Sequence, residues 1–285
     1  MLIHGLQPVG YRSHALRIGT VATVSIRGYF SAMNEIQDGL AAVKVTAPPG
    51  TIVSATYPAA VYARSAIGHM MPDVVYGALE QAIPGRVPAE GTSNLWSLKM
   101  VAGHGLTGVG DKAGTQFMLM SFHSGGAGAR PHQDGLSATP FPSGVRNVPV
   151  EATEAITPLV IWRKELRQDC GGAGQYRGGL GQVMEVSSRE DAAFGIFAGF
   201  ERVKFPARGR NGGAAGQRGA LSLASGTEMK PKGLQIVPVG ERLVIEMPGG
   251  GGMGPAAERN PDAIRRDMRL GYLSAEAAKR DYGVG

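Results

Sequence analysis

Short apolar runs, cut apart by glycine and proline, dominate the chain. They are "AAVKVTA" (41–47), "TIVSAT" (51–56), "TQFMLMSFH" (115–123), "PLVIWRKEL" (158–166), "GQVMEVSS" (181–188), "AFGIFAGF" (193–200), "LQIVPV" (234–239) and "RLVIEMP" (242–248). Each is rich in branched or aromatic residues and has turn-forming Gly, Pro or Asn nearby, as strands bounded by turns should be. "PPG" at 48–50 predicts a tight turn between the first two. Helical spacing is rarer. "MMPDVVYGALEQAI" (70–83) sets Val74, Ala78, Leu79 and Ile83 along one face, and Pro84 blocks continuation. In the tail, Asn260 can cap, Pro261 suits the first helical position and Asp262 complements the dipole before "AIRRDMRL" and Gly271; Ser274 can then cap "AEAAKRDY". The pattern predicts an α+β fold: a β-rich body of short glycine-linked strands, few helices, and a small helical C-terminal tail from about residue 258. No repeat of fixed period is visible.

Composition narrows the class. With 285 residues, 43% apolar and 18% charged, the chain can bury a substantial core and reads as globular. The uncharged run "VTAPPGTIVSATYPAAVYA" (45–63) holds three prolines and many hydroxyls, which argues against a membrane helix. "IGTVATVSI" is a weak apolar stretch that ends at Arg27 without a small-residue cleavage site, so a cytoplasmic protein is expected. A single cysteine, Cys170, permits no internal disulfide. The net charge of +6 is concentrated in residues 200–232, where Arg202, Lys204, Arg208, Arg210, Arg218, Lys230 and Lys232 face Glu201 and Glu228. Such a patch attracts an anion or an acidic partner, or is a solvated surface. Neither the aromatic platforms nor the reader helix that nucleic acid would require is visible.

The 44 glycines invite nucleotide readings. Gly172, Gly174 and Gly178 in "GGAGQYRGGLG" have a dinucleotide-like spacing, but more glycines follow where a helix should start. "PGGGGMG" (248–254) follows a strand and leads into polar "PAAERNPD", so it reads as a turn. No glycine is followed by Lys and then Ser or Thr, which removes a P-loop. His123, His132 and Asp134 offer metal donors in a spacing that matches no specific site, so no metal is assigned. Ser124 lacks the first glycine of a nucleophile elbow. Cys170 in "DCGGAG" is either an activated thiol or, more in keeping with a lone Cys, a buried structural one.

The densest polar chemistry lies in "RPHQDGLSATPFPSGVRNVPVE" (130–151), where prolines and glycines forbid a regular helix and can hold side chains in fixed positions. Arg130 and Arg146 can clamp a phosphate or carboxylate, Asp134 and Glu151 can act as a base or neutralise those arginines, and Asn147 can donate to an oxyanion. An internal salt-bridge network fixing the loop is the competing expectation. Asp169 is a further candidate substrate contact, or organises a turn through backbone amides.

These blocks also carry a resemblance. "GAGARPHQDGLSATPFPSGVRNVPVE", "RQDCGGAGQYRGGLGQ", "FPARGRNGGAAGQRG", "PGGGGMG" and "GYLSAEAAKRDYGV", in that order, resemble the carboxy-terminal half of the hydantoinase B/oxoprolinase family, including N-methylhydantoinase B-type subunits. "PAAVYARSAIGHMMPDVVYGALEQAIPGRVPAE" (58–90) fits as well. Similarity runs from about Asn34, which sets expected boundaries of 1–33, 34–257 and 258–285. The resemblance implies a hydantoinase A-type partner that uses ATP with Mg to phosphorylate the carbonyl oxygen of a cyclic amide, after which the B part hydrolyses the ring. The family's amino-terminal half carries a His/Asp-rich stretch associated with metal binding that nothing here matches, so the chain is expected to be one product of a split gene, with that half as a partner if encoded separately, or a truncated gene model or inactive fragment. Related complexes carboxylate ketones, and a non-catalytic assembly subunit is the alternative from a different class. Where this chain has Cys170, the family usually has Ser, which weakens a thiol mechanism further.

Overall fold

A computed structural model of the chain describes residues 49–51, 54–59, 64–93, 95–102, 114–139, 141, 145 and 148–284. The strand expected at 41–47 lies outside them. Gly50, at φ 82°, makes the expected turn, and Thr51 and Ser54 bridge each other; Ile52 and Val53 of the strand expected at 51–56 lie outside the described residues. Two compact units are formed, one of Met1–Val87 with Phe141–Ser143 and one of Pro88–Pro140 with Gly144–Gly285.

The first unit carries helix α1 (Arg64–Leu79). It buries Gly68, Pro72 and Val75, spaced by four and three along one stripe, and Asp73 beside Pro72. The face expected from apolarity is therefore displaced: Val74 and Ala78 are exposed, and the helix ends at Leu79, short of Ile83.

The second unit contains two antiparallel sheets. In order across the first are β2 (Phe117–His123), β1 (Trp96–Ala102), β5 (Phe194–Gly199) and β7 (Lys232–Val237). The second runs β3 (Leu159–Leu166), β4 (Gln182–Ser188), β8 (Leu243–Glu246) and β6 (Ala220–Leu223). Strands β1 and β6 were not among the expected strands. Alternation nevertheless drives β1, where Trp96, Leu98 and Met100 point inward to meet Met184, Val186, Ile196, Leu243 and Ile245 in one core. Trp96 stacks on Phe200 with ring centroids 4.3 Å apart. A short helix, α2 (Val150–Ile156), precedes β3, so the irregular stretch ends at Pro149 rather than after Glu151. Pro149 at its cap position has no N–H to lose there.

The glycine clusters are neither turns nor nucleotide loops. Gly249, Gly250, Gly251, Gly252, Met253 and Gly254 donate their N–H groups in turn to the carbonyls of Gln217, Gly179, Glu90, Ala214, Tyr176 and Arg210. Donors three residues apart reach acceptors three residues apart on one neighbouring segment: Gln217 and Ala214 in one case, Gly179 and Tyr176 in another. That period belongs to a polyproline II-like chain, which has about three residues per turn and no internal hydrogen bonds. The segment 249–254 is thus ringed by extended neighbours, and each bonds to it through backbone. None of Gly249 to Gly252 has a positive φ. Close approach is what requires glycine there: a Cβ on Gly249 would lie 1.8 Å from the Cys170 carbonyl oxygen, and one on Gly250 2.0 Å from that of Ala127. Gly172 and Gly178, of the dinucleotide-like spacing, belong to the same array.

The tail folds as its caps dictate. Helix α3 (Pro261–Arg269) starts where Asn260 accepts from the Asp262 amide, and α4 (Ala275–Tyr282) where Ser274 accepts from that of Ala277. Ile264, Leu273, Ala277 and Ala278 form their shared core.

Candidate functional site

The glycine array fixes the loop that carries Asp134. Ala127 donates to the Leu136 carbonyl and Gly135 to that of Arg177, closing the loop at its base. Gly135 has to be glycine, because a Cβ would meet the Ala127 carbonyl oxygen at 2.3 Å. Asp134 Oδ1 accepts the Arg177 amide at 2.7 Å and Arg259 Nη1 at 2.7 Å, while Oδ2 accepts Arg259 Nη2 at 2.8 Å. Arg259 Nη2 also reaches Asp267 Oδ2 at 2.6 Å, and Arg177 Nε reaches the same oxygen at 3.1 Å. Two carboxylates and two arginines therefore form a largely buried square, three of its sides ion pairs and the fourth the Arg177 amide on Asp134, with Asp267 delivered to it by α3.

Burial opposes charge on Asp134, but the hydrogen bonds and charge of Arg259, then the amide and charge of Arg177, hold its carboxyl below the usual range. Arg259 answers in kind: burial works against its charge, yet Asp134 raises its basicity. Tyr272 lies under Arg177 and Tyr282 under Arg259, with cation-to-ring distances of 5.6 and 5.8 Å. Removing one member of such a buried set would strand its partner's charge, which typically costs about 3–5 kcal/mol.

Beside this square opens a cavity of about 570 Å³. Its wall includes Arg130, Asp134, Tyr176, Arg259, Arg266 and Tyr272. Arg130 Nη2 donates to the Asp134 carbonyl at 2.9 Å. Arg266 Nη2 stands 3.8 Å from Asp134 Oδ2 and 3.8 Å from Asp267 Oδ1.

Of the residues singled out in the sequence, Asp134 and Arg130 thus meet at one cavity. Arg146 and Asn147 lie outside the described residues. Glu151 sits exposed in the first turn of α2 and does not line the cavity. Asp169, at φ 60°, accepts the Ser274 amide at 2.7 Å and donates its own N–H to Tyr272, so it organises the turn before α4; it too is absent from the cavity wall. The expected ion-pair network exists, but with other partners: Arg177, Arg259 and Asp267 were not singled out. Nothing local signals them, since Asp134 and Arg259 are 125 residues apart.

The basic stretch at 200–232 is largely committed. Arg202 and Arg208 both pair with buried Glu90, at 3.0 and 2.6 Å, Arg210 donates to the Pro88 carbonyl, and Lys232 pairs with Glu201. Burial would raise the Glu90 pKa; the Arg208 hydrogen bonds and the charges of Arg202 and Arg208 bring it below its ordinary value.

Among the described residues no three His, Cys, Asp or Glu side chains stand together as a metal site. His132 and Asp134 do not fit one, because both Asp134 oxygens are held by Arg259. His123 is buried in the sandwich, its Nε2 2.9 Å from Ser121 Oγ and its Nδ1 unpartnered, beside a void of about 10 Å³. Burial, with the charge of Lys164 second, pulls its pKa down to about 4. Cys170 is fully buried: Sγ donates to the Arg167 carbonyl and accepts the Gly181 amide, both at 3.0 Å. Burial pushes the thiol up to about 11, which fits the structural role and not a nucleophile. Among the described residues no helix is long and apolar enough to cross a membrane.

Comparison with known proteins places these blocks in context. The Hydantoinase B/oxoprolinase family model matches residues 20–256. A protein named as the B-type subunit of a D-/L-hydantoinase from Pseudomonas sp. (strain NS671) is 31% identical over 249 residues, covering 85% of this chain and 40% of that one. The beta subunit of the Pseudomonas jessenii caprolactamase is 31% identical over 256 residues, covering 83% of this chain and 42% of that one. The crystal structure of the ATP-dependent caprolactamase from Pseudomonas jessenii superposes with a TM-score of 0.76 at 24% identity, over 97% of this chain and 49% of that chain. An acetone carboxylase structure shares the fold more loosely, with a TM-score of 0.54 at 20% identity, over 77% of this chain and 33% of that chain. This chain therefore spans less than half the length of these relatives.

Proposed function

Because the chain belongs to the hydantoinase B/oxoprolinase family, we propose that it works as part of an ATP-dependent enzyme that opens cyclic amides. Hydantoins, caprolactam and 5-oxoproline, the compounds in its relatives' names, are all ring amides. An unstrained amide is a poor electrophile, and phosphorylating its oxygen turns that oxygen into a leaving group, lowering a barrier that positioning alone leaves high. In this reading a hydantoinase A-type partner uses ATP with Mg for the phosphorylation. This chain, joined in the cytoplasm by a B-type amino-terminal half, takes part in hydrolysis. The observation that carries it is the cavity beside Asp134, whose wall draws residues of 130–137 and 175–177, and Tyr272, from blocks on which the family resemblance rests, with residues of 258–266 completing it. Arg130 is assigned to substrate, with Arg146 and Asn147 of the same stretch as clamp and oxyanion donor. The lowered pKa of Asp134 makes it a poor base, so its role is to position Arg130 through its carbonyl.

Reconstitution tests this. The chain should co-purify with an A-type partner and an amino-terminal B half, and the mixture should couple ATP hydrolysis to ring opening. Arg130→Gln and Arg146→Gln should each lower turnover at least about tenfold while leaving the assembly intact. Unchanged turnover in both would refute the loop assignment. A second reading, a non-catalytic assembly subunit, is favoured by the way Asp134 is satisfied internally by Arg259. Full activity of a complex lacking this chain would establish it. ATP turnover that depends on bicarbonate and a ketone would redirect the reading to carboxylation.

A further inference from the structure

The four guanidiniums and three carboxylates of the cavity region do not balance. Arg259 and Arg177 are spent on Asp134 and Asp267. The Arg266 guanidinium makes no hydrogen bond among the described residues; its two ion pairs, each at 3.8 Å, are to Asp134 Oδ2, already held by Arg259, and to Asp267 Oδ1, a buried oxygen without a hydrogen-bond partner, and its side chain is 55% exposed. Arg130 uses Nη2 on the Asp134 carbonyl, and its buried Nε has no partner. Both arginines converge on Asp134, one at its backbone oxygen and one near its side chain. Glu258, exposed on the cavity wall, is the remaining opposing charge. The wall thus keeps a net positive charge, with the Arg266 guanidinium exposed and making no hydrogen bond among the described residues, in a volume within the roughly 300–1,000 Å³ of small-molecule sites.

We infer that this cavity is an oxyanion receptor, in which Arg266 and Arg130 supply the unspent charge and Tyr176 and Tyr272 the apolar walls. Guanidinium donors match the two-oxygen edge of a carboxylate or phosphate, so the ligand is a small molecule carrying one of these groups. The Asp134 carbonyl keeps Arg130 in place when the site is empty, which limits the ordering cost of binding on that side. This inference does not rest on the proposed reaction, because binding to the chain by itself reads it.

Calorimetric titration of the full chain with inorganic phosphate, and separately with glutarate, at about 0.15 M salt, tests it. Saturable binding is expected, with the tighter of the two ligands identifying the source. Arg266→Gln should weaken binding at least about tenfold, and Glu258→Gln should tighten it a few-fold. Arg265, next along α3 and paired with Asp262 at 2.5 Å, is the control for bulk charge. Arg265→Gln should change affinity less than about twofold, since an exposed charge outside the site is screened. Circular dichroism confirms that each variant is folded. Absence of saturable binding for both ligands up to about 10 mM, weaker than the millimolar end of specific affinities, would overturn the inference. So would equal losses in the Arg265 and Arg266 variants.

Discussion

Gly250→Ala puts the extended array to its most direct test. A Cβ there would lie 2.0 Å from the Ala127 carbonyl oxygen and 2.9 Å from the Gly128 nitrogen. Relief demands that backbone move by about 1 Å, in an interior packed too densely to absorb it. Four hydrogen bonds are within reach of that shift: Gly250 N–H to Gly179, Gly172 N–H to Gly250, Gly251 N–H to Glu90 and Ala129 N–H to Gly251, at 2.8 to 2.9 Å. If two are lost, at about 1–3 kcal/mol for each stranded buried group, the cost is about 4 kcal/mol. The stiffer unfolded chain returns up to about 1 kcal/mol. The net loss of about 3 kcal/mol corresponds to a Tm drop of about 10 °C for a unit of this size. Gly199→Ala is the matched control, with nothing within 4 Å of its Cβ. It should fall within about 0.5 kcal/mol of the parent. Urea titrations of the three proteins, with m-values compared, give the answer. Equal stability of the Gly250 variant and the parent would refute the close-approach account of the glycines.

Two further outcomes follow from buried titratable groups. With the His123 pKa lowered from 6.5 to about 4, the unfolded chain takes the proton first; this contribution is complete above pH 6.5 and falls away towards pH 4, a loss of about 3 kcal/mol that His123→Gln should largely abolish. An identical pH slope in parent and variant, measured by chemical denaturation, would contradict it. The Cys170 thiol, buried and raised to about 11, should resist a disulfide reagent at pH 8 in the native protein and react fully in denaturant. Rapid native labelling would place it outside the glycine array.

Legibility followed the range of the interactions. Caps at Asn260 and Ser274 act over two or three residues, so both tail helices could be read directly. β3, β4 and β8 announced themselves by branched residues between turns. β1 did not, because Ser97 and Lys99 dilute "WSLKMVA" although Trp96, Leu98 and Met100 alternate inward. α2 was hidden by the prolines ahead of it, which rule out a helix through 142–149 but not one beginning after Pro149. Within the site, chemistry of the loop pointed to Arg130 and Asp134. The groups that hold Asp134 come from segments whose own sequences look like linker, "AAERNPD" and "GQYRGG". The glycines misled most, for composition cannot distinguish a flexible hinge from a backbone that neighbours press against.

The position of the central glycine segment bears on the order of biosynthesis. Its partners at Glu90, Gly179, Tyr176, Ala214 and Gln217 all precede it in the chain. During translation those stretches must stay hydrated until residues 249–254 leave the ribosome, because the acceptors and donors they await are not yet made. Closure is therefore a late, highly non-local event, of the kind that folds slowly. A polypeptide released at residue 246 would possess every strand of both sheets while lacking the central strut and the tail that brings Arg259 and Asp267 to the Asp134 loop.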